Sequence, residues 1–305
     1  ATCSGKSALA MQLAEESGAS IICCDSMQVY RGLDIGTAKA DAAEQARVPH
    51  ALLDCCDLPD AFSAARWAKQ ARTFICEENT RGRMPLIVGG TGLYLRALCE
   101  GLAEIPAENP RVRAQLQQQC VDSGIEALHT QLAEVDAATA ARLPAGDTQR
   151  ILRALSVFLS SGRPLSAWLA DAKPQMAVNI PVFVLDVPRE VLRERIAGRF
   201  QRMLAAGWLS EACWLDGLQL VDTHSALRAV GYRQLLAHIH GDCSLAEATE
   251  QGITATRHYA KRQRTWFAHQ TPDAVRGDGE MLMLLIRVLL NRAVSNRKSS
   301  VNGCV

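Results

Sequence analysis

Gly5-Lys6-Ser7 opens directly into Ala8-Leu9-Ala10-Met11-Gln12-Leu13-Ala14, a helix-forming run. A Gly-Lys-Ser step at a helix start is phosphate chemistry. Free backbone N–H groups and the helix dipole attract anionic oxygens, Lys6 adds a point charge, and the Ser7 hydroxyl can ligate Mg2+. The fuller loop pattern calls for a Gly five residues before Gly5 and a strand before that, at positions that would precede Ala1. A fold without that strand would be weakened, so further residues ahead of Ala1 are expected in the native polypeptide. The second chemical group is Asp25. It follows Ala19-Ser20-Ile21-Ile22-Cys23-Cys24, an apolar run that reads as a buried strand. Ligand-handling groups of open α/β sheets collect at the carboxyl edge of such strands, which places Asp25 beside the phosphate loop. There it can serve as a general base or as an outer acceptor behind Mg2+. It can equally cap the next segment, because Asp25-Ser26 is good capping chemistry.

The elements that must hold these groups alternate. A helical pattern covers 62–78, and Met84-Pro85-Leu86-Ile87-Val88 forms a second buried strand stopped by Gly89-Gly90. A helix follows from Gly92 to about Leu98. Alternation of this kind predicts a parallel, doubly wound sheet. Across 109–172 the chain is rich in Ala, Gln, Leu and Arg and has no strand-like run. Asn109-Pro110 supplies a cap and a first-turn proline, so this region is expected to be a helical insertion. The strand pattern returns at 181–187, followed by long helical stretches at 189–206 and 245–267, and the polar segment 295–305 is expected to fray. The predicted fold is α/β: a P-loop NTPase-like parallel sheet flanked by helices, with an all-helical insertion domain. The expected divisions are a first core part at 1–106, the insertion at 107–174 and a second core part at 175–305.

Composition sets limits. The 305 residues are 48% hydrophobic and 21% charged, which excludes a disordered chain. Lys plus Arg is 33 and Asp plus Glu is 32, so any polyanion site must come from local clustering. No apolar run approaches the roughly 18–20 residues that cross a bilayer, and no secretory h-region follows Ala1. No membrane association and a cytoplasmic location are expected. The eleven cysteines include no Cys-x-x-Cys pair, and reduced buried thiols are expected. The seven histidines form no metal-ligand cluster.

Longer motifs are more specific. Asp25-Ser26-Met27-Gln28-Val29-Tyr30-Arg31-Gly32-Leu33-Asp34-Ile35-Gly36-Thr37-Ala38-Lys39 closely resembles the signature of bacterial tRNA dimethylallyltransferases, the isopentenyl-pyrophosphate:tRNA transferase family. Four further segments resemble the same family in the same order. They are Leu86-Ile87-Val88-Gly89-Gly90-Thr91-Gly92-Leu93-Tyr94, Asp147-Thr148-Gln149-Arg150-Ile151-Leu152-Arg153-Ala154-Leu155, Arg228-Ala229-Val230-Gly231-Tyr232-Arg233-Gln234, and Thr256-Arg257-His258-Tyr259-Ala260-Lys261-Arg262-Gln263-Arg264-Thr265-Trp266-Phe267. One departure is Ala51 after His50, where the family usually has His or Arg.

The resemblance implies transfer of the dimethylallyl group from dimethylallyl diphosphate to N6 of the adenosine 3′-adjacent to the anticodon in tRNA. The loop then holds a diphosphate leaving group, through Thr2, Cys3, Ser4, Gly5, Lys6 and Ser7, with Mg2+ on Ser7. Thr2 matches a loop threonine near the bridging oxygen, and Arg199 matches an arginine that meets the diphosphate from the other side. Asp25 matches the proposed base. An exocyclic adenine amine is a poor nucleophile, so it needs placement and a proton acceptor. Its base must leave the anticodon-loop stack to reach a deep site. By the same resemblance the anticodon stem-loop meets Asp25, Ser26, Met27, Gln28, Thr91, Arg113, Gln149, Arg150, Ile151, Leu152, Arg153, Arg228, Gly231, Tyr232, Arg233, Lys261, Arg262, Gln263 and Arg264. A monomer is expected.

The residues of 251–272 support an RNA surface on their own terms. No acidic residue occurs there, and Arg257, Lys261 and Arg264 share one helical face beside Trp266 and Phe267. Such a face suits phosphate contact and base stacking, and it equally suits a solvated helix over buried aromatics. Three other functions fit parts of the pattern. An adenylate isopentenyltransferase acting on free nucleotide shares the loop and the Asp. A P-loop small-molecule kinase shares the loop. A non-catalytic RNA-binding protein on a decayed P-loop scaffold needs only the basic face.

Overall fold

The computed structural model describes residues 1–103, 105–106, 109–171 and 180–302, with side chains described through 291. The chain divides into two compact units, Ala1–Cys99 with Val178–Val305, and Glu100–Ala177.

The first unit opens with helix α1 (Lys6–Ser17), strand β1 (Ser20–Cys24), α2 (Ala42–Arg47), β2 (His50–Ala51), α3 (Ala64–Thr80), β3 (Pro85–Gly89) and α4 (Gly92–Cys99). The three strands form a parallel sheet in the order β2-β1-β3. The register pairs Ile21 with His50 on one side and Ile21 with Leu86 on the other. Because β1 has a strand on each side, all five of its residues are buried. The apolar side of α1 covers the sheet with Ala10, Met11 and Ala14, which pack with Ile21 and Val48. Across the sheet the Trp67 indole donates a hydrogen bond to Cys23 O at 2.8 Å and stacks on Tyr94.

Among the described residues the regular elements of the second unit are all helices: α5 (Pro110–Val135), α6 (Ala137–Ala140), α7 (Thr148–Ser161) and α8 (Leu165–Ala170). Asn109 caps α5 by accepting from Arg111 N at 3.0 Å, with Pro110 in the first turn, as the sequence predicts. The long α5 breaks at Gly124, where φ is 80°. Its core is Leu116, Leu128, Leu132, Ile151, Leu152 and Leu155. Burying each such side chain contributes about 1.5–3 kcal/mol, enough for a small helical core.

The first unit resumes with β4 (Phe183–Leu185), α9 (Arg189–Ala205), α10 (Trp208–Gly217), α11 (Tyr232–Ile239), α12 (Leu245–Gln270), β5 (Val275–Gly277) and α13 (Gly279–Asn302). Two sequence expectations change here. Among the described residues the strand near 181–187 does not extend the three-stranded sheet; β4 pairs with β5, a strand the sequence reading missed. Among those residues one edge of β3 has no strand partner, and an apolar cavity of about 430 Å³ lies between β3 and β4, walled by Leu9, Leu13, Ile286 and Leu290. For the same reason the apolar residues of β3 are only half-buried. Helix α13 continues to Asn302, into the polar segment that starts at residue 295, and 303–305 lie outside the described residues.

Among the described residues, every cysteine is free, and no helix is long and apolar enough to cross a membrane.

Candidate active site

The loop that precedes α1 is built by its backbone. Cys3 has φ 60° and Gly5 has φ 94°, both left-handed. Left-handed residues interleaved in a tight loop are the pattern of anion-binding nests. Gly5 tolerates this conformation because it lacks a Cβ. It also leaves the first turn of α1 open, where N–H groups have no partner within the helix. Ser4 is 4% exposed, and its hydroxyl has no hydrogen-bond partner in the protein. An orphaned donor inside a ring of amides fits an oxyanion ligand.

Lys6 supplies the charge. Burial lowers its pKa below the ordinary value of 10.5, the Asp25 carboxylate pulls it back up, and Arg199 lowers it further. Lys6, Asp25 and Arg199 thus share one electrostatic neighbourhood. Arg199 comes from α9, as does Arg195, whose Nη1 donates to Ser4 O at 3.2 Å. Sequence reading missed Arg195. Its signal was the spacing, one helical turn before Arg199 on the same face.

Asp25 follows the last residue of β1, at the carboxyl edge of the sheet. Its Oδ1 accepts from Met27 N at 2.9 Å, an Asx turn that fixes the carboxylate. Next to it, Ser26 N donates to Thr91 Oγ1 at 3.1 Å. The Gly90 and Thr91 amides donate to Cys24 O at 3.2 and 3.1 Å, tying the turn after β3 to the end of β1. The negative charge of Asp25 reaches its neighbours. Burial, then Asp25, raises the Cys23 and Cys24 thiols, and Tyr259 is pushed up to about 12 by the same two causes. Both thiols stay protonated and are not nucleophiles at neutral pH.

Several residues expected to touch RNA are buried or half-buried in this structure and bond or pack within the protein. Gln28 spends its amide on the protein: Nε2 donates to Thr37 O and Ala38 O, while Oε1 accepts from Cys23 Sγ at 2.9 Å. Ile151 and Leu152 are 0% and 3% exposed, with their side chains in the helical core. A Cβ on Gly231 would fall 2.0 Å from the Trp208 ring, so this position serves close packing. Tyr232 is 1% exposed and donates its hydroxyl to Glu211 Oε1. Gln263 is 6% exposed and bonded at both ends of its amide. Arg153 is half-buried and donates to Pro106 O at 3.1 Å.

The others remain accessible. Arg228, Arg233, Lys261, Arg262 and Arg264 are exposed, with Arg257 beside them on α12. In the helical unit Gln149 and Arg150 are exposed at the start of α7. Arg113 is half-buried on α5, and Thr2, Ser26, Met27 and Thr91 are partly exposed.

Two supports were not anticipated. Glu211 of α10 accepts from the backbone N–H groups of Asp34, Ile35 and Gly36 at 2.7–2.9 Å. Lys39, with 3% of its side chain exposed, bonds Tyr30 O, Asp34 and Asp54. Together they lock the loop that carries Asp25. A lone Glu in a helix gives no sequence signal for this, since its partners are backbone amides.

Among the described residues no group of three or more His, Cys, Asp or Glu is arranged around a metal site. A hard cation here would rest on few protein ligands. The exposed Ser7 hydroxyl in the first turn of α1 is the available one.

Comparison with known proteins agrees with this geometry. The family model described as IPP transferase matches residues 28–270. A protein of Halorhodospira halophila named tRNA dimethylallyltransferase is 45% identical over 90% of this chain and 89% of its own length. One of the same name from Xanthomonas campestris pv. campestris is 43% identical over 98% of this chain and 95% of its own. The crystal structure of a tRNA isopentenylpyrophosphate transferase from Bacillus halodurans superposes with a TM-score of 0.68. It has 31% identity and covers 99% of this chain and 96% of that one. A chain matched over most of its length by that model, and by relatives far above 30% identity, belongs to the IPP transferase family.

Proposed function

We propose that this protein transfers the dimethylallyl group of dimethylallyl diphosphate to N6 of the adenosine 3′-adjacent to the anticodon in tRNA. The observation that carries the reading is membership of the IPP transferase family together with the placement of Asp25, at the carboxyl end of β1, close enough to Lys6 to raise its pKa. As the allylic C–O bond breaks, its electron pair moves onto the diphosphate. Lys6, Arg199, the Ser4 hydroxyl and the loop amides stabilise that growing charge. The N6 lone pair forms the new C–N bond, and Asp25 accepts the N6 proton. Thr91, through Ser26 N, holds the Asp25 segment in place. Ser7 fits Mg2+ as a single hydroxyl ligand beside substrate oxygens and water, and the cation would supply charge neutralisation of the diphosphate.

The acceptor is tRNA rather than a free nucleotide because α12 presents Arg257, Lys261, Arg262 and Arg264 to solvent. A mononucleotide needs no such face. Gln149 and Arg150 of the helical unit, with Arg228 and Arg233, are further contacts to the anticodon stem-loop in this reading. The test is incubation with prenyl-labelled dimethylallyl diphosphate and either unmodified tRNA or AMP. Label is expected on tRNA alone. Label on AMP alone would move the assignment to an adenylate isopentenyltransferase, and phosphoryl transfer from ATP without prenyl transfer would make it a kinase.

A further inference from the structure

Helix α12 has two chemically different sides. Lys261, Arg262 and Arg264 face solvent, while Thr249, Gly252, Ala260 and Gln263 are buried at helical spacing. A glutamine on the buried side needs partners for its carbonyl and its amino group, because buried polar groups left unpaired are destabilising. Gln263 finds both. Its Oε1 accepts from Thr2 N at 2.7 Å, and its Nε2 donates to Gly90 O at 2.9 Å.

Those two partners belong to opposite halves of the site. Thr2 starts the loop that would grip the diphosphate. Gly90 lies in the turn whose next residue, Thr91, accepts from Ser26 N beside Asp25. One amide group therefore bridges the leaving-group side to the proton-accepting side. The fit is close. A Cβ built on Gly90 falls 2.2 Å from Gln263 Nε2, so only glycine lets the two approach. The bond also occupies the Thr2 N–H, which removes that amide from the anion cradle.

We propose that Gln263 is a positioning residue that sets the register between the diphosphate loop and the Asp25 segment, and is not a tRNA contact. The proposal rests on the prenyl-transfer reading above and adds a residue to it. Because Gln263 rides on the helix that carries the cationic face, it also links the placement of RNA to the geometry of the loop.

The test is a double-mutant cycle on the full chain with Gln263→Leu and Gly90→Ala. The first removes both hydrogen bonds. The second leaves Gln263 in the sequence but drives its flexible amide out of the bridge. Each single variant is expected to lower the single-turnover prenyl-transfer rate at saturating substrates by about ten- to a hundredfold, the scale of small misplacement. Dissociation constants for tRNA are expected to stay within about twofold, and the double variant to be no slower than the slower single one. The proposal is overturned if Gln263→Leu leaves the rate unchanged, if tRNA affinity falls in step with the rate, or if the two losses multiply. Should Gln263→Leu fail to fold, Gly90→Ala alone decides: a normal rate refutes the bridge. A wild-type protein that transfers no prenyl group would instead refute the underlying reading.

Discussion

The loop and sheet edge, residues 2–7 and 25–28, and the helical segment 149–153 both carry residues that the family resemblance singles out, yet they are built on opposite principles. In the first, irregular backbone is tied residue by residue. Asp25 bonds Met27 N, Ser26 N bonds Thr91, Gln28 bonds three groups, and Arg195 holds Ser4 O. In the second, a regular helix sorts roles by angle. Gln149 and Arg150 point out, while Ile151 and Leu152 point into a core. A motif on a helix can therefore be dissected one residue at a time. A motif on a hydrogen-bonded loop cannot, because each side chain holds its neighbours.

Four substitutions or conditions sharpen that contrast. Lys6→Ala should produce the largest effect, a loss of about 10²–10³ in turnover from the missing transition-state charge, with tRNA affinity unchanged. Single-turnover kinetics and filter binding check both halves. Ile151→Ala should act purely on stability, lowering it by about 2–5 kcal/mol through a core cavity. Thermal unfolding measures this; a selective loss of tRNA binding without destabilisation would make Ile151 a contact after all.

The third involves Glu78, whose side chain is fully buried at the end of α3 between Arg83 and Arg81. Hydrogen bonding from Arg83 above all holds its pKa at about 2, against an ordinary value of 4.5. Its ionised form thus stabilises the fold above pH 4.5, and that contribution, about 3 kcal/mol, is lost as pH falls toward 2. Glu78→Gln should flatten this acid limb of the unfolding profile. The smallest effect belongs to Arg150→Glu, about three- to tenfold weaker tRNA binding with reduced salt dependence and no change in melting temperature.

Much of the site was legible in the sequence because its backbone chemistry is local. Gly5-Lys6-Ser7 announces a helix start, and Asp25 follows an uninterrupted apolar strand. What escaped was long-range. Glu211 and Gln263 are ordinary helix residues until distant backbone amides meet them. Tyr232 and Gly231 are given an RNA role by resemblance, and their packing against Trp208 escaped because a motif does not state which residues meet that ring. The sheet was half legible. Apolar runs identify β1 and β3, but pairing depends on neighbours, and β4 joins β5 rather than β3.

The most direct test of the account is mass spectrometry of tRNA nucleosides after incubation with dimethylallyl diphosphate and either the unaltered protein or Asp25→Asn. Unaltered protein should add one prenyl group to adenosine next to the anticodon. Asp25→Asn should bind tRNA normally and form that product about 10²–10⁴ times more slowly. Equal product from both proteins would contradict the assignment of Asp25 as the proton acceptor beside Lys6.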